Sequence, residues 1–461
     1  MKQLRIVTYF SLLLSMLAVD SAANDKPNIV LLFVDDLGYA DLGCQGSGDV
    51  KTPHIDSIAK EGVRCTSGYA TAPICSPSRA GLVTGRYQQR FGHELNLGAV
   101  YTVKAGLPVS EKMLPVRLKP LGYVSGVIGK WDLGSRPEYH PLSRGFDEFF
   151  GFLGGSRSHH PKQQSADFNV LRRDRKRLPK ETGYSSDLYS DEAAAFIERH
   201  HNEPFFLYVS YTAPHWPMEA KPEDLKRFDH VKDLHRRTFL AMMKALDDGV
   251  GRILSTLRRL NLDERTLVFF VSDNGGPTGR PRKAPDANFQ YGQNASLNTP
   301  LRGVKGQLYE GGIRVPFLAR WTGRLPTGKV CDVPVSTLDI ATTALTLAGG
   351  NEEAFAGLDG VDLIPILREN RGKPRPLFWR VGGRRAIRHN NWKLLLQPNQ
   401  KPQLFNLKND LGESKNLFDR HRDRFEELRE QLANWQNQLR SPLWNPAKLK
   451  SVRPKGQSPN P

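Results

Sequence analysis

Four short apolar runs along the chain each end abruptly in polar residues. Ile29–Val34 runs into Asp35-Asp36, and Val124–Ile128 into Gly129-Lys130. Phe205–Val209 is followed closely by Ala213-Pro214-His215, and Leu267–Val271 by Asp273-Asn274. A run of this length without polar alternation is how a strand buried on both faces of a parallel sheet reads. Helical patterns lie between the runs, over Ser190–His200 and Thr238–Leu260. The alternation predicts an α/β fold, a sheet covered by helices on both faces. Sheets of this kind bind ligands at the carboxyl ends of their strands, so the four polar ends point to one site.

After about residue 370 the pattern changes to short strand-like pieces, Leu377–Val381, Arg384–Arg388 and Trp392–Gln397, and one helix. In that helix Phe425, Leu428, Leu432, Trp435 and Leu439 recur at steps of 3 and 4, a single apolar stripe. The expected organisation is a catalytic unit over 24–370, a smaller α+β unit of antiparallel sheet plus helix over 371–444, and a basic tail over 445–461.

Residues 1–23 read as a signal peptide. Lys2 and Arg5 precede the apolar stretch Ile6–Val19, and Ser21-Ala22-Ala23 offers small residues for cleavage. The stretch is only about 14 residues long, where roughly 20 are needed to span a bilayer. An exported protein, periplasmic or secreted, is expected, and no later segment suggests a membrane partner.

With 461 residues, 39% of them hydrophobic, the chain is long and apolar enough for one large core and a smaller one, which excludes disorder. Its 41 glycines and 32 prolines follow no repeat, which excludes a collagen-like chain. The net charge of +18 calls for an acidic partner. The clusters Arg172-Arg173, Arg175-Lys176-Arg177, Arg258-Arg259 and Arg384-Arg385 lack interleaved aromatics, so an anionic polysaccharide is preferred to nucleic acid.

Asp35, Asp36, Asp273 and Asn274 offer only oxygen ligands, three of them anionic, which suits a hard divalent cation such as calcium. Cys75 stands at the start of a small-residue helix, where backbone N–H groups favour an anion.

The stretch from Cys75-Ser76-Pro77-Ser78-Arg79 to Thr84-Gly85 resembles the signature of the type I sulfatases, C-x-P-x-R followed by T-G. Further motifs stand in the family order over nearly the whole mature chain. These are Pro27-Asn28-Ile29-Val30 with Asp35-Asp36-Leu37-Gly38, Thr52-Pro53-His54-Ile55-Asp56, Gly129-Lys130-Trp131, Ala213-Pro214-His215, Ser272-Asp273-Asn274-Gly275-Gly276, and Lys305 before Glu310-Gly311-Gly312. The resemblance is to arylsulfatase or N-acetylgalactosamine-6-sulfatase types. It implies an alkaline-phosphatase-like mixed sheet sandwiched by helices, and one calcium ion bound by Asp35, Asp36, Cys75, Asp273 and Asn274. It also implies that a formylglycine-generating enzyme oxidises Cys75 to formylglycine, whose hydrate is the nucleophile. Arg79 would hold that hydrate, Lys130 and Lys305 the sulfate, and His215 the sulfate and the leaving oxygen.

One position departs from the family, which reads G-K-W-H where this chain has Asp132. Three outcomes are open. Asp132 takes the proton, or His93, His159 or His160 substitutes, or turnover is impaired; the intact remainder of the site favours activity. The loops around His159-His160, Arg280–Arg282 and Arg384-Arg385 are candidates for holding the sugar. The reading is an exported, calcium-dependent sulfatase acting on a sulfated polysaccharide or oligosaccharide. The alternatives are a phosphate or phosphonate ester hydrolase of the same superfamily and a non-catalytic binder of sulfated glycans. The chain has four cysteines, Cys44, Cys65, Cys75 and Cys331. With Cys75 set aside, at least one of the remaining three is unpaired within the chain.

Overall fold

The strand Asn28–Val34 is buried at every position. Its side chains go alternately to two cores, Ile29, Leu31 and Phe33 to one and Val30, Leu32 and Val34 to the other. That two-sided burial explains the unbroken apolar run, because neither face of the strand meets water. In the computed structural model, which describes residues 26–97, 105–162, 164, 166–277 and 293–444, this strand lies inside a ten-stranded sheet. The proposed signal peptide, the basic tail and Arg280–Arg282 lie outside the described residues.

From one edge the sheet runs Lys329–Cys331, Val63–Cys65, Phe317–Arg320, Thr266–Ser272, Asn28–Val34, Phe205–Ser210, Val124–Lys130 and Glu148–Phe152. A short hairpin of Arg172–Arg173 and Lys176–Arg177 completes it. The five strands from Thr266–Ser272 to Glu148–Phe152 are mutually parallel. Phe317–Arg320 is antiparallel to both its neighbours, so the sheet is mixed. The helices Leu234–Arg259, Ser185–Arg199 and Pro53–Lys60 cover one face, and Cys75–Thr84, Leu338–Leu347 and Leu363–Glu369 cover the other.

Two helices start earlier than their apolar patterns predict. Asp233 caps the longer one by accepting from the backbone N–H groups of His235 and Arg236, four residues or so ahead of the first periodic position. The other opens on Ser185 and Ser186, which are buried although polar and so carry no hydrophobic signal.

The C-terminal strands Pro376–Val381, Arg384–His389, Trp392–Leu396 and Gln403–Asn406 form an antiparallel sheet, with Gln403–Asn406 an addition to the three expected. The helix Arg422–Gln436 lays Phe425, Leu428, Leu432 and Trp435 on one face of it. Leu439, read as part of the stripe, falls beyond the helix end and packs at the margin of that cluster. The opposite face, with Trp379, Leu395 and Phe405, packs on Tyr69, Leu308 and Ile313 of the larger unit.

A buried ion cluster reinforces this contact. Lys393 Nζ lies 2.8 Å from Glu310 Oε1 and 2.8 Å from Glu413 Oε1, all without solvent exposure. Removing one member of a buried cluster strands the rest in a low-dielectric interior. Lys393→Ala is therefore expected to lower stability by about 3–5 kcal/mol, read as a shift of the urea midpoint. An unchanged midpoint would show that the carboxylates find other partners.

Candidate active site

The carboxyl ends of the parallel strands bring the polar residues together. Asn28–Val34 delivers Asp35 and Asp36, Thr266–Ser272 delivers Asp273 and Asn274, and Val124–Lys130 ends on Lys130 itself. Asp36 adopts a left-handed backbone (φ 66°), and its N–H donates to Asp273 Oδ1 at 3.1 Å. Gly129, also left-handed (φ 104°), precedes Lys130; a Cβ there would meet Ser210 O at 2.0 Å. Only glycine lets these two strands approach so closely.

Cys75 is the first residue of the helix Cys75–Thr84, and its thiol donates to Asp35 Oδ1 at 3.4 Å. Burial, then the charge of Asp35, raises the Cys75 thiol well above its ordinary range, so the unmodified residue is a poor nucleophile at neutral pH. One turn on, Arg79 is fully buried. Its guanidinium donates to Ser210 Oγ at 2.5 Å and to Asp273 Oδ2 at 3.2 Å, and lies 3.6 Å from Asp35 Oδ2. Arg79 thus ties the helix that starts at Cys75 to the two carboxylate-bearing strands.

Two lysines sit against the acidic pair. Lys130 Nζ is 2.6 Å from Asp35 Oδ2, and Lys305 Nζ is 2.6 Å from Asp36 Oδ1. Burial opposes ionisation of Asp35, but Lys130 foremost, with the neighbouring His215, Arg79 and Lys305, holds it well below the usual carboxylate range. Asp273 goes the other way, raised by burial and by the charge of Asp35. Asp273 thus keeps Arg79 as its ion-pair partner in a buried, carboxylate-rich setting.

The donor atoms gathered here fit a cation. Asp35, Asp36, Cys75 and His215 each offer a ligand atom, all within 4.8 Å of one another. Asn274 Nδ2 donates to Asp36 Oδ1 at 2.7 Å, which leaves Asn274 Oδ1 buried with no hydrogen-bond partner. An orphaned buried carbonyl beside three carboxylates is the condition a hard cation relieves.

Residues 27–350 match the sulfatase family, and residues 304–441 match the family described as N-sulphoglucosamine sulphohydrolase, C-terminal. The chain belongs to the sulfatase family. It is a sulfuric ester hydrolase. The sulfatase is 36% identical over 392 residues to N-acetylgalactosamine-6-sulfatase of Mus musculus, covering 80% of this chain and 72% of that one. Its fold resembles the crystal structure of Ps i-CgsB in complex with k-i-k-neocarrahexaose, with a TM-score of 0.85, 36% identity and coverage of 93% and 96%. It also resembles PsFucS1 sulfatase from Pseudoalteromonas sp., with a TM-score of 0.75, 25% identity and coverage of 91% and 92%.

In the sulfatase, His215 Nδ1 lies 2.5 Å from Trp216 O. A carbonyl only accepts, so Nδ1 carries the proton and Nε2 faces Asp36 Oδ2 at 3.6 Å. Burial, partly offset by Asp35, brings the imidazole down to about 4, so it is neutral at pH 7.

Asp132 is 3% exposed, left-handed (φ 58°), and its Oδ2 lies 3.6 Å from Lys130 Nζ. Burial, against the opposing charge of Arg79, raises its carboxyl to about 7.

The histidines considered as substitutes are engaged as donors. Ser76 Oγ gives its single proton to Asp132 O at 2.6 Å, so His93 Nε2, 2.7 Å from the same oxygen, must donate to it. His159 Nε2 donates to His215 O at 3.0 Å, and His160 Nε2 to Ala220 O at 3.1 Å.

Of the candidates for holding the sugar, His159 and His160 both turn a ring nitrogen to backbone carbonyls. His159 is 1% exposed and half-buried His160 is bound to backbone, so both shape the loop carrying His215. Arg384 reaches the catalytic unit, donating to Gly306 O at 2.6 Å beside Lys305, and Arg385 is exposed.

Sequence reasoning missed Ser210, which anchors Arg79, and Asn294, whose Nδ2 donates to Asp36 O and Pro214 O at 3.0 Å each. Ser210 ends a parallel strand and was open to discovery on that rule. Asn294 sits in a loop with no pattern to mark it.

Proposed function

We propose that this sulfatase is exported to the periplasm or medium and hydrolyses sulfate esters on a sulfated polysaccharide or oligosaccharide, using calcium and formylglycine at residue 75. The observation that carries the reading is Cys75 at a helix start, 3.4 Å from Asp35 and flanked by Lys130 and Lys305. A formylglycine-generating enzyme is the maturation partner this requires. As its hydrate, formylglycine supplies a hydroxyl nucleophile, and calcium held by Asp35, Asp36, Asp273 and Asn274 beside residue 75 supplies positive charge to it and to the sulfate.

The chain's own residues do the remainder. Lys130 and Lys305 match charge on the sulfate oxygens as the S–O bond lengthens. Arg79 keeps residue 75 aligned with the carboxylates. The Trp216 carbonyl fixes the His215 tautomer, so a proton reaching Nε2 makes an imidazolium that sulfate's charge stabilises and that protonates the leaving alcohol. Asp132, with its carboxyl raised to about 7, is half ionised near neutrality and accepts the proton that lets sulfate leave. The net reaction is ester plus water to alcohol plus sulfate.

Three features support a polyanionic sugar: the net charge of +18, Arg384 beside the Lys305 loop with Arg385 exposed next to it, and a similar protein solved with a neocarrahexaose. Sulfate release from a panel of sulfated galactans, fucans and glycosaminoglycans tests this. Release from at least one polymer or its oligosaccharides is expected. No release from any, with formylglycine verified by peptide mass, overturns it.

The role of Asp132 makes a separate prediction. Because its carboxyl must be ionised to accept a proton, kcat is expected to rise with pH through a midpoint near 7. Asp132→Asn removes the acceptor, suits the left-handed backbone, and is expected to lower kcat by about 10²–10⁴-fold. A first-turnover burst of alcohol followed by slow release is the expected trace. Parent-like turnover in Asp132→Asn would reduce the residue to a structural role.

A further inference from the structure

Cys65 and Cys331 are register partners on the adjacent parallel strands Val63–Cys65 and Lys329–Cys331, far from each other in sequence but together at one edge of the large sheet. Directly paired residues on neighbouring strands leave the sheet on the same face, and strand spacing of about 4.7–4.9 Å falls within the Cα separations of about 4.4–6.8 Å that disulfides span. Both residues are 0% exposed and belong to the same core. Both stand as free thiols in this structure, and Cys331 Sγ donates to Ile366 O at 3.9 Å. The backbone around them is pinned, with Thr66 N donating to Cys331 O at 2.8 Å and Lys329 N to Gly62 O at 3.1 Å.

We propose that Cys65 and Cys331 form a disulfide that fastens the edge strand to the sheet. The proposal rests on the exported reading for its natural oxidant, a protein or small-molecule disulfide. The neighbouring Cys65 thiol holds the Cys331 thiol below its ordinary value, which makes Cys331 the attacking sulfur. Its thiolate displaces one thiol from the oxidant, and Cys65 sulfur then displaces the other. One S–S bond forms, both cysteine protons are released, and two electrons reduce the oxidant disulfide to two thiols.

The bridge has two consequences. Lys329–Cys331 is an edge strand with Val330 45% exposed, and a covalent tie limits its detachment and edge-to-edge pairing. It also removes two thiols that could otherwise cross-link with Cys75 before its modification. The thiol of the remaining Cys44 is pushed up to about 12 by burial and then by Asp56.

The test maps peptides of the full chain, denatured with an alkylating agent and no reductant. One arm uses protein exported through its own leader; the other uses cytoplasmic protein refolded with reduced and oxidised glutathione. The expected result in both is a linked peptide pair containing residues 65 and 331, an intact mass lower by two hydrogens, and an unfolding midpoint that falls on reduction in the parent but not in Cys65→Ala. Linkage in the glutathione arm alone upholds the bridge and overturns export. Alkylation of both cysteines in both arms overturns the bridge, as does linkage of either to Cys44 or Cys75.

Discussion

Cys75→Ala is expected to lower turnover of any sulfated substrate by on the order of 10⁴-fold or more, with little change in the unfolding midpoint. The loss is large because the neighbouring hydroxyl at this helix start, Ser76 Oγ, is taken up by Asp132 O and His93 Nε2 and does not replace the residue 75 nucleophile. The fold survives because the helix is held by other contacts. Ser76 bonds to Asp132 O and to Asn96, and Arg79 bonds to Ser210 and Asp273. Glycan affinity is expected to persist, since Lys130, Lys305 and Arg384 are untouched. Sulfate release by ion chromatography and glycan binding by calorimetry separate these effects. A variant within tenfold of the parent rate would remove residue 75 from the chemistry.

Asp35→Asn is expected to cost about 3–5 kcal/mol of stability and to abolish activity. Asp35 is the partner of Lys130 at 2.6 Å and of Arg79 at 3.6 Å, with none of the three exposed to solvent. An amide keeps the shape but leaves two buried cations short of their anion. The same change removes one of the proposed calcium ligands, so the rise in unfolding midpoint on adding calcium, worth about 4 kcal/mol at a thousandfold excess over Kd, is expected to shrink.

The pH dependence follows from the depressed Asp35 carboxyl. The unfolded chain binds its proton near the ordinary carboxylate value, and the folded chain only at much lower pH. The ionised form's contribution is therefore full above the ordinary value and is lost as pH falls through the gap toward the folded one. Asp35→Asn is expected to flatten that acid limb, measured as unfolding midpoint against pH. An unchanged limb would assign it to other carboxylates.

The residues that carry this chemistry were legible in the chain because they stand where buried strands stop. Asp35, Lys130 and Asp273 each interrupt or follow an apolar run, and polarity at the end of a two-sided strand has few structural explanations. Helix starts were less legible. Ser185 and Ser186 begin a helix with buried polar residues, and the periodicity of apolar side chains is blind to them. The strand Gln403–Asn406 was missed because its two buried residues, Leu404 and Phe405, are too few to show alternation.

By itself, then, the sequence determined the alternating architecture, the family and the composition of the acidic and basic cluster, all of which depend on local pattern and residue type. The tertiary structure alone decided which atoms face which. His159 and His160 look like a surface pair in the chain, yet they are drawn to carbonyls of the His215 loop 56 and 60 residues away. Cys65 meets Cys331 across 266 positions because two short strands share a sheet edge. Asp132 acquires a carboxyl near 7 only through burial and the charges around it. Hydrogen-bond direction, desolvation and charge proximity are properties of three-dimensional neighbours, and no linear spacing encodes them.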